Sequence, residues 1–293
     1  MSDNGNYPNT KITERRARGL GSGPILVIAV LFVAATGLAW YFTWFGRTLS
    51  DVEISQYLAD EKHPRHVQHA LSQVQQRMSN SDPSAKQWYP VLLKLSDSPE
   101  TEFRLTVAWL MGYDNHVNEF HETLLKLLRD PEPIVRRNAA LALVTFNDKS
   151  GREELLSILK PYAVQATHDG IIASTLHEGS QVARGTLLGR IQQTDGVLSE
   201  IRSPLLGRIN QIQKKNGEHV AVGEEIMSLN SDEGSIWEAL RGLAFVGQPE
   251  DVDLIRSFAA DDKPMSDNTR KQATLTAGAI SSRANQTNNS TKQ

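Results

Sequence analysis

Thr167-His168-Asp169-Gly170-Ile171-Ile172, followed by E-G-S-Q-V-A-R-G-T-L-L-G-R-I (178–191), returns as Pro204-Leu205-Leu206-Gly207-Arg208-Ile209, followed by N-G-E-H-V-A-V-G-E-E-I-M-S-L (216–229). Gly170 and Ile172 recur as Gly207 and Ile209. Gly179, Val182, Gly185, Leu188 and Ile191 recur as Gly217, Val220, Gly223, Ile226 and Leu229. In each half, branched apolar residues alternate with polar ones and glycines punctuate the run. That pattern predicts short, half-buried strands joined by tight turns that need positive φ. Two such halves, spanning 162–230, make a small closed sandwich or barrel.

The matched positions resemble the biotinyl/lipoyl-carrier fold, the barrel-sandwich hybrid that also occurs in HlyD-type membrane-fusion adaptors. In lipoyl carriers the modified lysine sits at the tip of the hairpin joining the halves, in a run like E-T-D-K-A. This chain has Gln193-Thr194-Asp195-Gly196-Val197 there, so Gly196 stands at the lysine position. Asp195-Gly196 reads as a two-residue hairpin turn. Lys214 and Lys215, the nearest lysines, fall inside the second half. The resemblance therefore implies an all-β domain without a cofactor rather than a swinging-arm carrier. Efflux adaptors usually split this barrel with a long α-hairpin, whereas only Gln192 to Ile201 separates the halves here.

Around the β region the pattern changes to helices. Ser98-Pro99-Glu100-Thr101-Glu102-Phe103-Arg104 is echoed 32 residues later by Asp130-Pro131-Glu132-Pro133-Ile134-Val135-Arg136, a period typical of stacked helical repeats. The second copy continues as Arg137-Asn138-Ala139-Ala140-Leu141-Ala142-Leu143, with small and apolar residues at helical spacing. D-P-x-P-x-V-R-x-x-A-A-x-A-L resembles a HEAT repeat, with Pro marking each helix start. His63 to Met78 and Ser84 to Leu95 form an earlier pair, and Glu153 to Leu159 closes the first block. Helices resume at Trp237 to Phe245 and Glu250 to Phe258, and Asp262-Lys263-Pro264 repeats the start signal. HEAT-like helices are thus expected over 50–160 and 235–280, with the β domain inserted between them. Asn, Gln, Ser and Thr dominate 281–293, which reads as a disordered tail.

Pro24 to Phe45 carries no charge over 22 residues, the length a helix needs to cross about 30 Å of hydrocarbon. Trp40, Tyr41 and Trp44 suit an interfacial aromatic belt. Lys11, Arg15, Arg16 and Arg18 lie before the run. The expectation is a basic cytoplasmic tail over 1–23, a transmembrane helix over 24–46, and the bulk of the chain in the periplasm of a bacterial inner-membrane protein. The competing reading is a cleaved signal ending near Ala34-Ala35-Thr36-Gly37, but the apolar run continues past it into bulky aromatics. With no Cys and a net charge of −3, the composition permits an oxidising compartment and, lacking a basic stripe, argues against nucleic acid as a partner.

Catalytic constellations are missing. No Walker loop, dinucleotide fingerprint or nucleophile elbow occurs. His63, His66 and His69 recur at three-residue spacing but lack a carboxylate or Cys at helical spacing, so they read as surface histidines. His168-Asp169 and the following sheet segment invite comparison with barrel-shaped zinc endopeptidases, yet the second H-x-H motif is absent. Arg104 and Arg136 read as structural, pairing with helix-end acids or carbonyls. The expected protein is α+β and multidomain, with no catalytic, cofactor-binding or metal residues. It is expected to be a non-enzymatic scaffold that engages integral-membrane or periplasmic proteins in a transport, secretion or respiratory assembly. A module for cell-wall glycan or a small ligand, and a degenerate carrier or hydrolase, are the alternatives.

Overall fold

The structure is a computed structural model that describes residues 22–44, 47–174, 176–261 and 264–290. The chain divides into two units, 1–49 and 50–293. The first holds helix α1, Ser22–Trp44. Its side chains are described over 26–38, where Leu26, Val30, Phe32 and Val33 are among those exposed. Among the described residues no helix is long and apolar enough to cross a membrane. Residues 45–46 of the expected 24–46 span, and nearly all of the basic tail before it, lie outside the described residues.

The second unit begins with α2 (Asp51–Ala59), whose Ser50 cap and Glu53 bond each other's backbone N–H groups in a capping box. Then come α3 (Pro64–Ser79), α4 (Tyr89–Leu95), α5 (Thr101–Met111), α6 (Asn118–Leu127), α7 (Pro133–Thr145) and α8 (Arg152–Ile158). The stretch expected as one helix over 84–95 is split, because Pro90 cannot donate the N–H that would join the 3-10 turn Pro83–Trp88 to α4. After the β region follow α9 (Glu233–Val246), α10 (Val252–Arg256) and α11 (Asp267–Ser290). The odd-numbered helices from α3 to α11 pack side by side in one layer, and α4 packs on α6 in the other.

The 32-residue echo becomes a repeated clip. Arg104 donates from Nη1 to the carbonyls of Ser98 and Pro99 at 2.9 and 3.1 Å, and its Nε and Nη2 fork onto Asp130 at 2.7 and 3.0 Å. Arg136 does the same with the carbonyls of Asp130 and Pro131 and then reaches Glu154 at 3.0 Å. Each arginine thus closes its own helix start and binds an acid of the next repeat. Pro133 stands at the first turn of α7, whereas Pro99 lies just before the Glu100 cap of α5.

The inserted β region forms eight strands: β1 (Tyr162–Gln165), β2 (Gly170–Ala173), β3 (Gln181–Val182), β4 (Leu187–Gln192), β5 (Leu198–Arg202), β6 (Gly207–Ile212), β7 (His219–Val220) and β8 (Glu225–Ser231). They make two four-stranded antiparallel sheets ordered β1-β8-β6-β3 and β5-β4-β2-β7. Advancing every strand by four turns one sheet into the other, so the sequence repeat is a structural two-fold. The apolar positions that recur in sequence are the core: Ile172 with Ile209, Val182 with Val220, Leu188 with Ile226, and Ile191 with Leu229. Gly170 and Gly207 recur for a steric reason. A Cβ on either would lie 2.3 Å from the Gln192 carbonyl oxygen or 2.2 Å from that of Asn230.

The helical array continues across the insertion. One hydrophobic core joins Leu155, Leu156 and Ile158 of α8 with Ile236, Leu240 and Leu243 of α9 and Ile280 of α11. Arg152 forks onto Asp251 at 2.8 and 2.5 Å, linking residues 99 apart in sequence. Arg184, between β3 and β4, is paired with Glu102 of α5.

The C-terminal stretch differs from expectation. Helix α11 begins at Asp267 behind Ser266 rather than at Pro264, and residues 262–263 of the expected start signal lie outside the described residues. It runs through Ser281 to Ser290, where a disordered tail was expected. The polar composition after Ser281 misleads because the preceding turns are anchored by buried Ala273, Ala277 and Ile280. Arg283 then donates to the carbonyls of Ala244 and Gly247, satisfying the end of α9. Residues 291–293 lie outside the described residues.

Candidate protein-binding groove

Helices approach closely in the odd-numbered layer where residues are small. A Cβ on Gly112, the cap that ends α5, would touch Ala142 of α7 at 3.2 Å, and one on Gly242 of α9 would meet Val144 of α7 at 3.3 Å. The shallow floor left by these contacts is bordered by larger residues. Trp109, in the last turn of α5, and Tyr113, just past its Gly112 cap, stand edge to face with their rings 6.2 Å apart. Phe245 stands on α9 at the other side. These three aromatics are 41, 39 and 68% exposed. Leu141, Val144 and Thr145 of α7 lie between, and the groove holds about 640 Å³. A neighbouring depression of about 540 Å³ shares Asn147 and Phe245 and extends to His121 and Gln248.

The charged groups lining the groove itself, Glu238 and Arg241, are already matched. Arg241 lies over the Trp237 ring at 4.7 Å and pairs with Glu238 at 3.4 Å. His121 is hydrogen-bonded to Asp148 at 2.6 Å. Burial raises the Asp148 carboxyl, but bonds from Ser150 and His121 outweigh it and hold the group below the usual carboxylate range. A larger cleft, about 810 Å³, lies over the Arg104–Asp130 clip. Two of its charges are spent within the fold, Lys126 on Asp97 and Arg104 on Asp130.

The residues singled out in sequence are scattered. Gly196, at φ +85°, closes the β4–β5 hairpin with a three-residue loop, Thr194 to Gly196, rather than the expected two-residue turn. Gln193 N–H bonds the Val197 carbonyl at 2.9 Å and Gly196 N–H bonds the Gln193 carbonyl at 3.0 Å, the arrangement of a type I turn followed by a left-handed residue. Lys214 lies away from that tip and is bound to Glu224 at 2.6 Å, which holds its ammonium above the ordinary lysine value. Lys215 follows it in the β6–β7 loop. His168 is exposed and faces Thr167, while Asp169 accepts from the Val222 N–H at 2.7 Å, so the two do not converge on a site. His63 and His66 do converge, on Asp60. His69 lies one turn on, with its Nε2 buried and unpartnered. The groove aromatics were missed in sequence. Trp109 and Tyr113 stand at i and i+4 in an apolar helical stretch, and nothing in the local pattern marks their face as uncovered.

Comparison with known proteins supports the helical repeats. The family described as HEAT repeats matches residues 89–176, from α4 through α8 and past the end of β2. The chain carries HEAT repeats there. No curated protein matches. Among solved structures, a single-chain, multi-domain long-chain acyl-CoA carboxylase is similar at 14% identity over 40% of this chain and 12% of that one, with a TM-score of 0.24. The chain thus spans about an eighth of the carboxylase's length, and the likeness carries no argument about activity.

Proposed function

We propose that this chain is a non-enzymatic scaffold whose HEAT-type array receives an apolar segment of a partner protein in the groove of α5, α7 and α9. The observation that carries the reading is the exposure of Trp109, Tyr113 and Phe245 along one groove. Aromatic anchors exposed beside a pocket are the residue types that dominate protein-binding energetics, and stacked helical repeats use such extended faces to bind proteins. The matched charges lining the groove favour an occupant that contributes apolar surface rather than net charge.

The scaffold is held at the bacterial inner membrane by the uncharged stretch Pro24 to Phe45, with the array and β region in the periplasm. Support comes from the length of that stretch, the basic residues before it, and a helix that is apolar on every described face. The β region is a barrel-sandwich hybrid of the carrier and HlyD-adaptor kind without a carrier lysine. The exchange of sheets by a four-strand shift, and Gly196 at the hairpin tip, support this reading. As an unmodified module tethered at both ends, it serves as a second, rigid contact surface.

The test is recovery of partners from detergent-solubilised membranes by the full-length chain, comparing wild type with Trp109→Ala and Phe245→Glu. The scaffold reading expects specific loss of at least one abundant partner in both variants, with helical circular dichroism unchanged. An identical set of partners would overturn the groove. Intact-mass measurement checks the β region separately, and a lipoyl or biotinyl increment on Lys214 or Lys215 would return the carrier reading to first place.

A further inference from the structure

The corner between α2 and α3 gathers Asp60, His63 and His66 so that one ligand atom from each lies within 4.8 Å of the others. Backbone geometry builds the cluster. Asp60 ends α2, the His63 N–H bonds the Asp60 carbonyl at 2.9 Å, and the His66 N–H bonds the His63 carbonyl at 2.8 Å. Pro64, in the first turn of α3, holds His63 at the cap position, outside the helix. Both imidazoles then turn the same nitrogen to one carboxylate. His63 Nδ1 lies 2.9 and 2.8 Å from the two Asp60 oxygens, and His66 Nδ1 lies 2.8 Å from Oδ2. The Tyr57 ring stacks on His66 at 4.4 Å with a 16° interplanar angle, fixing the plane of that imidazole.

The geometry points to a divalent transition-metal site of the zinc class formed by Asp60, His63 and His66. Two imidazole nitrogens and one carboxylate suit zinc, nickel or copper, whereas calcium and magnesium require oxygen ligands. Ligands about 2.0–2.2 Å from zinc stand about 3.3–3.6 Å from one another in a tetrahedron. The bonds of 2.8 Å therefore need to open slightly, and the more distant pair needs to close. The side chains have room for this, being 65, 43 and 32% exposed for His63, His66 and Asp60. That exposure leaves the fourth position to water. His69 does not belong to the set: its ring packs 6.2 Å from Tyr57 and it contributes no ligand atom to the cluster. A metal here would tie the end of α2 to the start of α3 at the first turn of the helical array. The site is independent of the groove and of the scaffold reading.

The experiment uses the full-length chain in detergent, purified without a polyhistidine tag and stripped with chelator. Titration with zinc chloride by calorimetry should show one saturable equivalent, and cobalt chloride should produce the visible spectrum of a tetrahedral ion. Magnesium and calcium chlorides should give neither. Asp60→Asn, His63→Ala and His66→Ala should each weaken zinc binding by more than about tenfold, the smaller loss seen even when only an outlying partner of a metal ligand is removed. His69→Ala and His168→Ala should keep it. Zinc should also raise the melting temperature of wild type but not of the three ligand variants, because only a folded corner assembles the set. Absence of saturable binding, or equal binding by wild type and the ligand variants, would overturn the site. Equal loss in His69→Ala would overturn this ligand set.

Discussion

The helical array and the β region are held together by opposite means. The array is joined from repeat to repeat by arginine–carboxylate pairs: Arg104 on Asp130, Arg136 on Glu154 and Arg152 on Asp251. It leaves an aromatic groove uncovered. The β region closes on itself, placing its recurring apolar residues in one core between two interchangeable sheets. Its own surface depression is about 240 Å³, and beside it Arg202 is bound to Glu200 at 2.6 Å. In an open array each repeat packs only on its neighbours, so directional bonds from repeat to repeat add to that packing. A closed sandwich has its neighbours on every side. The difference predicts where each part breaks and which part has surface left for a partner.

The most severe test of the array is Arg152→Leu. It strands the Asp251 carboxylate, which is 4% exposed and retains the Gln248 N–H at 2.8 Å. Removing one partner of a buried pair costs about 3 kcal/mol or more. Chemical denaturation should show that loss, with proteolysis concentrated in the helices after the β region. An unchanged midpoint would mean that the shared core alone carries the array across the insertion.

Gly207→Ala tests the other mode. Its Cβ would meet backbone, not a movable side chain, so the strands must separate at a cost of about 1–3 kcal/mol. Hydrogen exchange should quicken in β6 and β8 and leave α5 to α9 unchanged. Equal quickening in the helices would show that the two parts unfold as one.

A smaller effect, of opposite sign, is expected at Arg137. It is 4% exposed, with its Nε unpartnered. Burial pushes its guanidinium below the ordinary arginine value, while Glu154, Asp232 and Tyr162 oppose that shift. Tyr162 begins β1 and Asp232 caps α9, so this cation sits where the chain leaves and rejoins the array. Replacing a poorly bonded buried charge with a packed apolar side chain is often neutral or stabilising. Arg137→Met should hold or raise the melting temperature. A marked fall would mean that the charge itself secures the junction.

The smallest effect is a pH dependence at Glu233. Its carboxylate accepts from Ser266 N–H at 2.8 Å and Thr269 Oγ1 at 2.6 Å, joining α9 to the start of α11. Those bonds, Ser266 first, hold it below the usual glutamate value. A depressed folded-state value contributes stability above the unfolded value, about pH 4.3, and loses it as pH falls through the folded value. The melting difference between wild type and Glu233→Gln should therefore be full near neutrality and shrink below about pH 4. A difference that persists at lower pH would assign it to packing.

How much could be read beforehand follows the range of the forces involved. The β repeat was legible because Ile172, Val182, Leu188 and Ile191 and their second copies follow a period of two set by the pleat, and chain neighbours alone carry that signal. The helix starts near Glu132 and Glu100 were legible from the doubled S/D-P-E-x-x-x-R for the same local reason. Tertiary packing decided what neighbours along the chain could not. The helix past Ser281 depends on carbonyls of Ala244 and Gly247 more than thirty residues away. The convergence of His63 and His66 depends on Asp60, three residues before the helix spacing that would have been searched, and on Pro64 to hold the bend. Whether Trp109 and Tyr113 are core or groove depended on how closely Gly112 and Gly242 let α5, α7 and α9 approach. Periodicity states which face of an element is apolar; only packing states which part of that face is left uncovered.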